Sequence, residues 1–286
     1  MLRDLIIDVG MHNGDDTAYY LHLGYRVLAI EANPILAEDA RRRFATEIGH
    51  GRLTILNKGI SDEQTISPFY VCEKHSEWSS FNKEVASRDG APFRVIDVPC
   101  VTMTQVLRQY GMPFFLKVDI EGNDKLAVFA LTEGEDLPKY VSFEMGKNTE
   151  PMLSHLHRIG FDRFKLISQR NFAPLKYPPN RDVKRLHFRC SLIDGASLGS
   201  KVARRIGREP LRRLVIPTLT DRDWTFRPGS SGPFGEATPG RWLTLEELRS
   251  THAHFQRSFQ RRQRSPFWGE RGWSFWADIH AMRSIA

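Results

Sequence analysis

Residues 5–34, LIIDVGMHNGDDTAYYLHLGYRVLAIEANP, constrain the fold more than any other stretch of the chain. Leu5, Ile6 and Ile7 form a short apolar run of the kind a buried parallel strand shows. Asp8 follows, then Gly10 and Gly14, where the backbone can turn sharply and approach a ligand without Cβ obstruction. Asp15, Asp16 and Thr17 open a helix, since short polar side chains satisfy its free N–H groups. Residues 25–30 are a second apolar strand, and Glu31 stands at its end. A carboxylate there suits the hydroxyls of a ribose. The stretch therefore predicts a βαβ unit holding a nucleoside-containing cofactor at the carboxyl ends of its strands.

The rest of the chain repeats the alternation. A helix is expected over 34–48, a strand over 52–56 and a turn at Asn57, Lys58, Gly59, Ile60 and Ser61. Residues 65–101 look inserted, with strands at 66–71 and 95–101 around a polar loop carrying His75, Trp78 and Phe81. Such a loop suits a substrate or cofactor cover. A helix is expected over 104–110, capped by Thr102 or Thr104, and a buried strand over 114–119. Asp119 and Glu121 then stand at a strand's end beside Gly122, with Asp124 expected to cap the next helix. Acidic groups so placed can bind an ammonium, orient a substrate hydroxyl or hold a divalent metal. A strand over 140–145 ends near Glu144, a helix spans 151–160, and the last strands are expected at 161–167 and 184–193. Alternating elements of this kind imply a mostly parallel sheet with helices on both faces.

After Asp194 the composition shifts. Residues 1–194 carry 25 Lys and Arg against 26 Asp and Glu, whereas residues 195–286 carry 16 against 8. The net charge of +7 thus belongs to the tail. A basic tail permits binding to nucleic acid, with Arg-rich runs at 204–213 and 257–264, but no RNA-binding motif accompanies them. Residues 195–213 read as a linker, and 244–259 as an amphipathic helix with Thr244 as cap and Glu246 and Glu247 in its first turn. Phe267, Trp268, Trp273, Phe275 and Trp276 are expected to pack on the body or on another subunit, which leaves a homo-oligomer open. The expected division is a cofactor-binding domain at 1–194 and a basic, aromatic extension at 195–286. Apolar runs all fall short of the roughly 20 residues that span a bilayer. The three cysteines, Cys72, Cys100 and Cys190, are far apart and form no CxxC pair, as expected for thiols in a cytoplasmic protein. The acidic, strand-forming N-terminus does not read as a secretory signal.

The glycine turn discriminates between cofactors. A nicotinamide enzyme favours GxGxxG. Here the spacing is Asp8-x-Gly10-x-x-x-Gly14, and His12 stands at the fingerprint's second glycine. DVGMHNGDDT resembles the DVGANxGxxT turn of the FkbM-family methyltransferases, and LKVDIEGND resembles that family's LKxDxEG motif. Ser142-Phe143-Glu144 and SSGPFGE are similar to members as well. The departures are Met11, His12 and Asn13 in the turn, and Asn123-Asp124 after the second motif.

The resemblance implies a class I, S-adenosylmethionine-dependent methyltransferase with a doubly wound, mostly parallel, seven-stranded Rossmann-like α/β sheet and a C-terminal extension. It implies that Asp8, Gly10 and Gly14 surround the methionine and ribose, that Glu31 binds the ribose diol with Asn33 beside it, and that Gly59, Ile60 and Ser61 lie near the adenine. Asp119 would face the methyl-transfer region, with Glu121 and Glu144 nearby. Asp119, Glu121 and His12, in that order, are the candidate general bases for a hydroxyl acceptor on a small metabolite or sugar. No resident metal is assigned, although carboxylates so placed could hold one. Nucleic acid is not the expected partner. The alternatives are a nicotinamide oxidoreductase and a nucleic-acid-binding protein using the tail.

Overall fold

The computed structural model describes residues 1–134, 136–169, 172–178, 202, 205, 219–227, 229–263 and 276–284, with 258–263 by their backbone. Strand β1 (Leu2–Val9) leads through the glycine turn into helix α1 (Asp15–His22) and strand β2 (Arg26–Ile30). Helix α2 (Pro34–Arg43) starts with Pro34 in its first turn and the Asn33 side chain accepting from the Ile35 N–H, then gives way to α3 (Ala45–Gly49). The single helix expected over 34–48 is thus two. Phe44 breaks it at φ −109°, ψ 28°, and its ring lies against Gly14, where an added Cβ would come within 2.7 Å. The Gly14 turn and the helix break are one packing solution.

Strands β3 (Leu53–Leu56), β4 (Gly59–Ile60) and β5 (Thr65–Cys72) follow, then the short helix α4 (Lys83–Ala86) and strand β6 (Phe93–Val101). Helix α5 (Met103–Tyr110) opens on a capping box between Thr102 and Gln105. Strand β7 (Pro113–Val118), helix α6 (Asp124–Val128), strand β8 (Tyr140–Glu144), helix α7 (Thr149–Arg158) and strand β9 (Arg163–Ser168) complete the alternation. The hairpin strands β10 (Thr220–Asp221) and β11 (Trp224–Thr225), helix α8 (Leu245–Gln263) and strand β12 (Ala277–Met282) come after. Thr244 and Glu247 cap α8 reciprocally, at 3.2 and 2.9 Å. The strand expected at 184–193 and the tail residues Phe267, Trp268, Trp273 and Phe275 lie outside the described residues.

Seven strands form one sheet in the order β3-β2-β1-β7-β8-β12-β9. The pairs β3–β2, β2–β1, β1–β7 and β7–β8 are parallel. The order reverses at β1, so right-handed crossovers carry α1 and α2 over one face and α5 and α6 over the other. The doubly wound, mostly parallel architecture expected from the alternation is therefore present. The switch point falls between β1 and β7, and it is at the carboxyl ends of such strands that sheets of this kind bind ligands. A separate three-stranded sheet, β4-β6-β5, holds the inserted hairpin, with β5 and β6 antiparallel from Thr65↔Cys100 to Cys72↔Phe93.

The chain divides into two compact units, Met1–Phe161 with Ala281–Ala286, and Asp162–His280. The core of the first is the apolar face set of β1, β2, β7 and β8: Ile6, Ile7, Leu28, Ile30, Phe115, Leu116, Val141 and Phe143 are all buried. Tyr20 of α1 meets Phe115 edge-on at 5.7 Å. In the second unit Phe164, Leu166, Leu243, Leu248 and Ile279 are buried. Lys165 of this unit is also buried, donating to the Thr238 carbonyl at 2.5 Å with its ammonium 4.2 Å from the Trp242 ring centroid.

Candidate active site

The first unit's site is built where β1, β2 and β7 end. Gly10 leaves β1 at φ +85°, and its N–H donates to the Ile30 carbonyl at 2.9 Å. A Cβ on Gly10 would stand 1.8 Å from the Asp119 carbonyl oxygen. The glycine is required because the loops after β1 and β7 touch there. Asp8, two residues earlier in β1, is fully buried. Its Oδ2 accepts from the Thr17 hydroxyl at 2.7 Å, and its Oδ1 lies 3.1 Å from the Lys117 ammonium. Asp8 therefore anchors the turn from beneath, while Gly10 and Gly14 shape it.

Glu31, at the end of β2, is buried and accepts from two backbone N–H groups, His12 to Oε2 and Asn33 to Oε1, each at 2.8 Å. Burial pushes its carboxyl up to about 7; the two N–H groups only partly offset this. Asn57, beyond the end of β3, donates through its side-chain amide to the Glu31 carbonyl at 2.8 Å and so fixes the residue's backbone. Asn33 spends its side-chain oxygen on capping α2.

His12 sits in the left-handed region at φ 51°. That conformation turns its N–H to Glu31 and its ring to the inserted hairpin, where Nε2 lies 2.8 Å from the Ser76 hydroxyl. Burial lowers the imidazole's pKa, so the ring is neutral near pH 7. Gly59 and Ile60 are buried in β4, and the Ser61 N–H donates to the Val101 carbonyl at 3.1 Å. A Cβ on Gly59 would meet the Phe81 ring at 2.2 Å, so this glycine seats an aromatic of the hairpin.

The second carboxylate cluster follows β7. The Asp119 N–H donates to the Val9 carbonyl at 2.9 Å, and its carboxylate is 32% exposed, the most accessible acid of the group. Glu121 has φ 45°. Its carboxylate accepts from Arg88 of the hairpin at 2.8 Å, and its carbonyl from the Ser80 hydroxyl at 2.8 Å. Burial raises the Glu121 carboxyl to about 7, against the pull of Arg88. Asp124 does not cap α6 with its side chain. It begins that helix and folds its carboxylate back onto the Ile120 and Gly122 N–H groups, at 3.1 and 3.3 Å. Burial pushes it up to about 6, with Asp119 adding to the effect. The structure thus brings Asp8, Gly10 and Asp119 together, and His12 with Glu31 and Asn33. Sequence reasoning missed Lys117, Arg88, Ser76, Ser80 and Asn57. Only Lys117 carried a signal, as the lysine of LKVDIEG.

The Methyltransferase FkbM domain family matches residues 8–162, which span the glycine turn, the hairpin and the β7 acids. The chain belongs to the FkbM methyltransferase family. It is accordingly a methyltransferase of the S-adenosylmethionine-dependent kind, not a nicotinamide oxidoreductase. No curated protein shows a significant match. Solved structures similar to it include precorrin-6y C5,15-methyltransferase from Geobacter metallireducens GS-15, at 11% identity and TM-score 0.33, covering 59% of this chain and 70% of that one. Another is a TehB-like SAM-dependent methyltransferase from Corynebacterium glutamicum ATCC 13032 Kitasato, at 11% identity and TM-score 0.32, covering 58% and 71%. A third is a SAM-dependent methyltransferase from Thiobacillus denitrificans in complex with S-adenosyl-L-homocysteine, at 10% identity and TM-score 0.31, covering 98% and 85%.

The donor set of this FkbM methyltransferase fits its cofactor chemically. Glu31 offers an acceptor for a diol, and Asp119 offers a partly exposed carboxylate for a cationic group. Among the described residues, no three His, Cys, Asp or Glu side chains converge as a metal site, and no helix is long and apolar enough to cross a membrane.

Proposed function

We propose that the protein transfers the methyl group to a hydroxyl oxygen of a small metabolite or sugar, with the donor seated at the carboxyl ends of β1, β2 and β7. The observation that carries this reading is the accessible Asp119 carboxylate, at the sheet's switch point beside the glycine turn. When bound, S-adenosylmethionine supplies an activated methyl on a sulfonium. The chain's own task is then to position donor and acceptor and to receive one proton.

Glu31 holds the ribose diol, with the Asn33 and His12 N–H groups fixing its two oxygens. Asp8, Gly10 and Gly14 keep the turn in place, and Gly59, Ile60 and Ser61 border the adenine. Asp119 takes the hydroxyl proton, being the accessible acid. Glu121 is the second candidate, engaged by Arg88, and His12 the third, with its Nε2 spent on Ser76. The hairpin carrying Ser76, Ser80 and Arg88 covers the acceptor side. A reducing cytoplasm suits the free, buried thiols of Cys72 and Cys100.

The test is transfer of labelled methyl from S-adenosylmethionine to a panel of hydroxylated small molecules and sugars. The reading predicts a product whose label survives mild base, as an ether does. Label on nitrogen or carbon, or released as a base-labile ester, would overturn the hydroxyl assignment.

A further inference from the structure

Lys117 has no part in the chemistry just described, yet three elements converge on it. It is the register partner of Asp8 across the parallel β1–β7 pair, and its side chain is only 3% exposed. Its Nζ donates to the Gly10 carbonyl at 2.9 Å. It also lies 3.1 Å from Asp8, 3.7 Å from Asp16 of α1 and 3.9 Å from Asp119. Burial opposes the ammonium's charge, but Asp8, Asp119 and Asp16 outweigh it and raise its pKa.

A buried ammonium is tolerated only when paired and hydrogen-bonded. One carboxylate would suffice for that, and Asp8 supplies it in register. The further partners are not explained by neutralisation. The Gly10 carbonyl belongs to the turn, and Asp119 is the carboxylate that faces outward. Three carboxylates face this one ammonium, and of them Asp8 and Asp16 are buried while Asp119 is 32% exposed. At 3.9 Å Asp119 is within Coulombic reach of Lys117 and outside hydrogen-bond distance.

We propose that Lys117 is a positioning residue of the methyl-donor site, fixing the Gly10 carbonyl and the Asp119 carboxylate relative to one another across the ends of β1 and β7. This rests on the donor binding at those strand ends. A lysine suits the role because its compact ammonium serves three directions at once, whereas the planar fork of arginine does not.

Lys117→Met alone leaves Asp8 buried without its cation and is expected to fold poorly. The decisive protein is therefore the paired variant Asp8→Asn/Lys117→Met, which removes both charges. Its melting temperature and its affinity for S-adenosylhomocysteine are compared with those of the wild type and of Lys117→Arg. The product is the better probe because it lacks the sulfonium charge. A folded paired variant should bind it about tenfold more weakly, the equivalent of one lost charge-assisted hydrogen bond at Gly10. Lys117→Arg should not restore the affinity. Wild-type affinity in the folded paired variant would overturn the proposal. If that variant does not fold, Lys117→Arg decides by the same titration, full affinity overturning the proposal and weakened affinity supporting it. Failure of the folded wild type to bind S-adenosylhomocysteine would instead overturn the placement of the donor.

Discussion

Arg88 reaches from the inserted hairpin to hydrogen-bond the Glu121 carboxylate at 2.8 Å, beside the acidic end of β7. The Ser80 hydroxyl seals the same turn by donating to the Glu121 carbonyl, and Ser76 holds His12 on the opposite loop. The hairpin is thus latched to the loops after β1 and β7 by polar contacts. Arg88 is 44% exposed, so solvent screens its pair and the contribution to stability is about 1 kcal/mol or less. Arg88→Ala should barely change the melting temperature while speeding amide hydrogen exchange over residues 79–90. Unchanged exchange there would show that the pair does not hold the hairpin.

The glycine turn makes a sharper prediction. At Gly10 a Cβ would collide with the Asp119 carbonyl at 1.8 Å, and the φ of +85° adds strain. At Gly24 the φ is similar, +89°, but no atom lies within 4 Å. Gly24→Ala should therefore cost about 1–2 kcal/mol, the ordinary strain of that region. Gly10→Ala should cost more than about 4 kcal/mol, the range of severe core disruption. Denaturant unfolding of the two variants checks the difference; equal losses would show that the β1 and β7 loops do not meet as described.

Glu31 links stability to pH. Its carboxyl titrates at about 7 in the folded protein because burial disfavours the charge, against an ordinary 4.5. Between those values the folded protein holds a proton that the unfolded chain has released. Stability contributed by this group is therefore present below about 4.5 and is lost as pH rises through about 7. Glu31→Gln removes the titration, so the variant's melting temperature relative to the wild type should rise from pH 5 to pH 8. A difference that stays constant with pH would contradict the burial-driven shift.

Asp119 carries the proposed proton transfer and pays little for its place in the fold, being 32% exposed and held by no hydrogen bond from Lys117. Asp119→Ala should keep the wild-type circular dichroism and melting behaviour while turnover falls by about 10²-fold or more, the scale of a lost general base. Full activity in the folded variant would remove Asp119 from the mechanism.

The parts of this site that were legible in the sequence are those whose physics is local. Leu5–Ile7 and the apolar run before Glu31 mark two buried strands, and Gly10 and Gly14 mark the turn, because each property belongs to one residue or its neighbours. Thr244 with Glu247 likewise announces its helix at fixed spacing. What was hidden depends on distant partners. Lys117 belongs to the LKVDIEG motif, but its role shows only once Asp8, Asp16 and Gly10 surround it. Strand β12 carries Asp278 and His280 inside an otherwise apolar segment, so its alternation looks broken; Gln169, more than a hundred residues earlier, hydrogen-bonds the buried Asp278 carboxylate. The break at Phe44 was equally invisible, since it answers to the absent side chain of Gly14.

The carboxyl ends of β1, β2 and β7 are proposed to hold the methyl donor, with Glu31 on its ribose. Calorimetric titration of the wild type and of Glu31→Ala with S-adenosylmethionine, and with NADH as the control, tests this placement most directly. The wild type is expected to bind S-adenosylmethionine and ignore NADH, and Glu31→Ala, still folded, to bind the donor about tenfold more weakly, as expected for losing the hydrogen bonds of the ribose diol. Undiminished donor affinity in the folded Glu31→Ala variant, or binding of NADH in place of the donor, would contradict it.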